Sequence, residues 1–269
     1  MSLQTEWPHF LSNPKSEIMN IYKILVLTGV LTVAANLSAQ DYNRISLSYD
    51  NTRFSLNKDY REILEAIDGD SSFSTNGFGL NYIHGFSLSK NLPMFLEIGG
   101  NVNFNFYSKT EAWKPDFDYN EDYEFDLRDV KSQFQNINLQ VPVNFTWRFN
   151  VVEDFTIAPY VGLNFKLNFV SKMRSYTEWE GEEVDKEDKE WTNLFSSDKD
   201  NMGSKDLTWN RFQMGWHVGV NFQYTKWNLG VQYGTDFIPA YSHKFEEDGW
   251  STKPAINTGN LKLSVGYTF

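Results

Sequence analysis

The chain has 269 residues, no cysteine and a net charge of −11 at pH 7, with pI ≈ 4.9. Disulfides, thiolate metal sites and a cysteine nucleophile are therefore excluded, and the acidic balance argues against nucleic acid, which needs a basic face. A mean hydropathy of −0.50 suits a soluble protein, but equally a membrane β-barrel, in which only alternate strand residues meet lipid.

The first element in chain order is "MNIYKILVLTGVLTVAANLSAQ", residues 19–40. Lys23 supplies a basic start, an apolar stretch runs from Ile24 to Leu37, and the small residues Ser38 and Ala39 follow. This layout predicts a secretory signal peptide cleaved near Ala39 or Gln40. The apolar run is shorter than the ~20 residues that span a bilayer. Residues 1–18 then stand upstream of the true start at Met19, as an extension or expression remnant, and 41–269 is the mature protein.

Past residue 40, apolar and polar residues alternate segment after segment, the mark of strands with one greasy face. The first predicted strand covers about 43–56 and the second 74–88. The third puts Leu96, Ile98, Val102, Phe104 and Phe106 opposite Glu97, Asn101, Asn103 and Asn105. The fourth, "FQNINLQVPVNFTWRF", sets Ile137 through Phe149 against Asn136 through Arg148. The fifth covers 157–169 and places Lys166 on its polar face. The sixth, "FQMGWHVGVNFQY", carries His217 on its polar face. The seventh covers 227–241. The eighth, 258–269, ends in "NLKLSVGYTF", with Leu261, Leu263, Val265, Tyr267 and Phe269 on one face. A short helix in a loop is expected at "DYREILEAIDGD", 59–70.

Connections alternate in length. "SKNLP", "NVVEDF" and "TK" are tight, whereas about 57–72, 108–132, 175–209 and 243–256 are long loops. Eight strands with short turns at one end and long loops at the other predict an all-β fold: an eight-stranded antiparallel up-and-down transmembrane β-barrel with long extracellular loops. The polar face is mostly Asn, Gln, Gly and Ser with isolated charges: Arg44, Glu97, Arg148, Lys166, Arg211, Asp236 and Lys262. Soluble strands lean instead on Lys, Glu and Thr. An inward face bearing this many aromatics would not fit eight strands, which leave room for modest side chains only. The apolar face is therefore expected to meet lipid, so that Val220→Arg should impair assembly far more than Asn221→Arg. Pro142 in mid-strand predicts a bulge, and His84 falls on the lipid face, near the interface or after a register slip.

Tyr267 and Phe269 are expected at the membrane boundary. An alternating strand ending in Phe resembles the C-terminal signal that Gram-negative outer-membrane barrels show their assembly machinery. "INLQVPVNFTW" resembles the strand "YLEIPLLLKY" of small PorT-like outer-membrane barrels, and "APYVGLNF" (158–165) resembles their following Pro-Tyr-Val-Gly strand. The resemblance implies a barrel over 41–269 and no catalytic residue, because the family's members differ in function. The acidic 175–209 loop is longer than the family's usual loops.

Chemistry is sparse. Glu97, Arg148, Lys166 and Lys262 predict a salt-bridged lumen plug rather than a selectivity lining, with Glu97 held by one of the cations, foremost Arg148. His217 and Asp236, diagonal neighbours about 7–8 Å apart, predict an interior hydrogen-bonded pair. Ser242–His243 lies where a lipid-active site could sit, but no partner carboxylate is marked. "DFDYNEDYEFDL" fails the EF-hand pattern, having Glu121 where Gly is needed and Leu127 at the bidentate Glu position. "EWEGEEVDKEDKEW" (178–191) reads as solvated charge, open only to loose divalent cations. The expected function is a non-enzymatic barrel that supports the envelope or binds partners through acidic loops, without a cofactor. Its expected partners are outer-membrane lipids and the barrel assembly machinery. The alternatives are a narrow transporter and a lipid-modifying hydrolase.

Overall fold

The computed structural model describes residues 41–59, 61, 72–89, 92–113, 128–179, 189–195, 208–247 and 250–269. The predicted signal peptide and residues 1–18 lie outside them.

Alternation becomes an antiparallel meander. Its strands are β1 (Tyr42–Leu56), β2 (Ser72–Ser87), β3 (Met94–Trp113), β4 (Arg128–Trp147), β5 (Phe155–Trp179), β6 (Phe212–Tyr224), β7 (Trp227–Asp236) and β8 (Ala255–Thr268). Each pairs with the next, and β8 pairs with β1, from Arg44↔Thr268 to Leu56↔Ile256. Eight strands thus close a ring and leave no edge within it. The last link is main-chain: Asn43 and Phe269 exchange both N–H···O bonds at 2.9 Å.

Ring closure sorts the side chains. On β1, Arg44, Ser46, Ser48, Asp50 and Thr52 are buried inside, while Leu47 outside is 63% exposed. Phe78, Leu229 and Trp227 are bared outside in the same way. The turn between β6 and β7 pairs Tyr224 with Trp227, as the parity of their apolar faces demands. Thr225 in that turn has φ of 51°, a left-handed conformation uncommon for a β-branched residue. It is held by its N–H donating to the Asp154 carbonyl of the neighbouring turn at 2.7 Å.

Several boundaries differ from the sequence reading. β3, β4 and β5 run beyond their predicted ends, pairing Tyr107↔Phe134 up to Trp113↔Arg128 and Arg128↔Trp179. The added residues, among them Ser108, Lys109, Thr110, Ser132, Gln133 and Ser175, are mostly polar, so no apolar alternation marks them. β7 stops at Asp236 because Pro239 cannot donate to a ladder; Tyr241–Ser242 then pairs briefly with β8. The predicted bulge is not at Pro142. The register shifts instead between Ile137 and Asn138. Pro142 leaves a gap in the β3 ladder opposite Gly99 and Gly100, while its pairing to Asn164 on β5 is kept. His84 keeps register and lies outside near the turn end, its Nδ1 2.7 Å from Asn43 Oδ1. Of the predicted loop helix, one turn is described, in which the Arg61 N–H donates to the Asn57 carbonyl.

Candidate functional site

The lumen holds the chain's buried chemistry, and its amides form a chain. Asn103 donates to Asn138 at 3.2 Å, Asn138 to Asn136 at 2.6 Å, and Asn136 to Asn168 at 3.0 Å. Asn168 donates to Gln213 at 2.9 Å, Gln213 to Thr258 at 3.2 Å, and Thr258 to Asp236 at 2.5 Å. Buried polar groups that pair with one another avoid the cost of desolvation without a partner.

The charged groups are placed by a simple device. Where an inward position is glycine, the side chains on the two flanking strands meet across it. Gly85 is in register with Tyr42 on one side and Glu97 on the other, and the Tyr42 hydroxyl donates to Glu97 over the gap. Gly162 lies between Asn144 and His217, which approach to 2.6 Å. Gly219 separates Tyr160 from Gln232, and the tyrosine hydroxyl donates across it at 3.1 Å. A Cβ on Gly162 would meet Asn144 Oδ1 and the Val143 carbonyl. Gly162→Val should therefore cost about 1–3 kcal/mol by overpacking, read as a lower unfolding midpoint in denaturant. An unchanged midpoint would refute the gap rule.

This geometry corrects two expected pairs. Glu97, 0% exposed, does not contact Arg148. Its partner is Arg44, with Nη1 3.2 Å from Oε1, and Asn144 donates to its other oxygen at 2.9 Å. Glu97 is level with Asn144, whereas Arg148 lies four residues further along the chain, about 13 Å by strand rise. Arg148 instead donates to Gln223 at 2.6 Å and lies 4.1 Å above the Tyr42 ring. His217 bonds Asn144 rather than Asp236, because Gly162 opens the direct path. Asp236 is engaged by Lys166 at 2.5 Å.

Lys262 faces Asp50 in direct register, Nζ 3.4 Å from Oδ1. Three cations therefore meet three carboxylates, where the sequence sets only Glu97 against the cations and pairs Asp236 with His217. Asp50 shares its inward parity with Ser46 and Ser48.

Both ends of the lumen are stoppered by residues that break the polar-inside pattern. At the turn end Tyr42 packs edge-on against Phe95 at 5.3 Å beneath Arg148. At the loop end Phe54, Phe134, Leu194, Ala240, Tyr241 and Ile256 form an apolar cluster with Trp209 against it. Cavities of about 40 and 20 Å³ lie among the lumen side chains, each with room for isolated waters. Asn221 is 3% exposed in this filled interior, so Asn221→Arg overpacks it, and the expected contrast with Val220→Arg narrows. Of the remaining candidates, Arg211 stacks on Phe195 at 4.3 Å at the rim, and the His243 N–H donates to the Pro254 carbonyl. Most of the acidic loop, 180–188, lies outside the described residues.

No family model and no curated protein matches the chain. Among solved structures, the attachment invasion locus protein Ail of Yersinia pestis is 12% identical, with TM-score 0.35, covering 86% of this chain and 100% of that one. Neisserial surface protein A is 12% identical, with TM-score 0.36, over 84% and 97%. The outer membrane protease OmpT of Escherichia coli is 10% identical, with TM-score 0.32, over 88% and 99%. The closed β1–β8 ladder itself establishes the eight-stranded antiparallel ring.

Proposed function

We propose that this chain is a non-enzymatic outer-membrane β-barrel of a Gram-negative envelope, closed to solutes, which works through its long-loop end. The observation that carries this reading is the inversion of its faces. Charges and amides are paired inside, while Leu47, Phe78, Leu80, Val218, Leu229 and Val265 stand bare outside. In water such a surface would far exceed the apolar patch a monomer tolerates. In a bilayer it is the required lining.

The outward aromatics support the same placement. Tyr224, Trp227 and Tyr267 are in register on successive strands, with Tyr82 two strands further on, past Ile45, as in an interfacial girdle. The PorT-like resemblance rests on two short motifs. Its two motifs lie side by side on β4 and β5, where Pro142 thins one ladder and Gly162 lets Asn144 and His217 meet. The assembly machinery and outer-membrane lipids are the partners this reading assigns.

The filled lumen weighs against the transporter, and its His217 is sealed from substrate. The protein should stay with reconstituted vesicles through alkaline carbonate extraction and should give no conductance steps in a planar bilayer. Release into the supernatant would overturn the membrane reading. Sustained conductance would overturn the plug and favour the narrow transporter.

A further inference from the structure

Above the ring, β5 carries a group of cations out of keeping with so acidic a chain. Lys172 and Arg174 face outward, since they pair with Gln135 and Gln133, which alternate with the buried Phe134 and Asn136. The chain then returns along the edge of β5, with Thr192–Asn193 pairing to Lys172–Met173. That return lays Trp191 over both cations, Lys172 Nζ 4.7 Å and Arg174 Cζ 4.6 Å from the ring centre. Lys189 and Arg174 each lie 5.4 Å from the Tyr176 ring.

Arg174 is held in place, its Nε donating to Gln133 at 2.8 Å and its Nη1 to the Lys189 carbonyl at 3.1 Å. The Glu178 carboxylate on this wall is taken by Lys131, whose hydrogen bond keeps Glu178 below the usual carboxylate range. Among the described residues no salt bridge joins Lys172, Arg174 or Lys189 to a carboxylate, and only the already paired Glu178 acts on Lys189 through space. Three cations gathered on two rings repel one another. The rings offset this only in part, and a further anion would relieve the remainder.

The position of the cluster selects the anion. Phe169 is the last bare apolar residue of the outward row on β5, 54% exposed. Lys172 and Arg174 follow it by three and five residues, about 10 and 16 Å along a tilted strand. That distance leaves the hydrocarbon and enters the headgroup layer. We propose that Lys172, Arg174 and Lys189, framed by Trp191 and Tyr176, bind the phosphate of an outer-leaflet lipid whose acyl chains lie along Leu167 and Phe169. The guanidinium of Arg174 meets the phosphate as a fork and the two lysines as point charges.

This inference rests on the membrane reading, and its test begins with protein already shown to resist carbonate extraction, so that the two can fail separately. Purified protein in detergent is mixed with diphosphorylated lipid A, or with the same lipid after phosphatase treatment, and retained lipid is counted by native mass spectrometry. Wild-type protein should retain the phosphorylated lipid at least tenfold better than the dephosphorylated one. The K172Q/R174Q double variant should lose that preference, and the charge-keeping K172R/R174K variant should keep most of it. Equal retention of both lipids by wild-type protein would overturn the proposal even if the variants failed to fold. Capture of inorganic phosphate without any lipid preference would overturn it in favour of a free-anion site.

Discussion

Val218→Arg should block stable membrane assembly, with the folded, heat-modifiable band on a cold gel replaced by unfolded protein. Val218 is the middle residue of β6 and faces outward, 43% exposed, between Val161 and Tyr233 on the flanking strands. A charge at that depth costs about 2–4 kcal/mol if the surround is hydrocarbon. If the belt faced water, the same change would be nearly neutral, within about 0.5 kcal/mol as for other surface substitutions. Val218→Ala separates loss of packing from the charge effect and should fold. Normal assembly of the arginine variant would overturn the membrane reading outright.

Glu97→Ala should destabilise the barrel by about 3–5 kcal/mol, the usual cost of removing one partner of a buried ion pair. The loss leaves the Arg44 guanidinium, 6% exposed, without its carboxylate, and strands the donors of Tyr42 and Asn144 as well. Denaturant midpoints in micelles measure the effect. Arg44→Ala and the double variant complete a cycle, and the double variant should be less impaired than the sum of the two singles. No conductance should appear, because Phe54, Phe134 and Trp209 still close the loop end. Additive effects would mean that Glu97 and Arg44 are not coupled.

Much of this was legible in the sequence and some was not, for identifiable reasons. The eight strands and the inward side of Glu97, Lys166, His217, Asp236 and Lys262 follow from parity alone, because a two-residue period is all that ring closure requires. Their partners do not. Arg44 and Glu97 sit on strands separated by β2 and meet diagonally across it, where Gly85, level with Tyr42 and Glu97, leaves a gap. The usable signal was glycine at an inward position, once the register is known. The strand ends were obscured for another reason. Hydrophobic alternation reports where an apolar outer face backs a polar lumen, and Ser108, Lys131 and Ser175 lie beyond that stretch while remaining in the ladder. Phe54 and Phe134 break the pattern because they cap the lumen rather than line it.

Ring closure also constrains the order of assembly. Most ladders join neighbours in the chain and can form as hairpins, with far less chain to close than the β1–β8 ladder. The β1–β8 ladder joins residues far apart in sequence; Asn260 reaches Thr52 from 208 residues away. Non-local pairing of this kind is paid for in chain entropy before any contact returns it. Closure should therefore come last, as one slow event that makes and seals the barrel together. Until then β1 and β8 would be two unpaired edges of a curved sheet, with the interior pair Lys262–Asp50 and the Asn43–Phe269 main-chain link still unmade. The time spent in that open form, more than the stability of the finished ring, sets how exposed the chain is to mispairing.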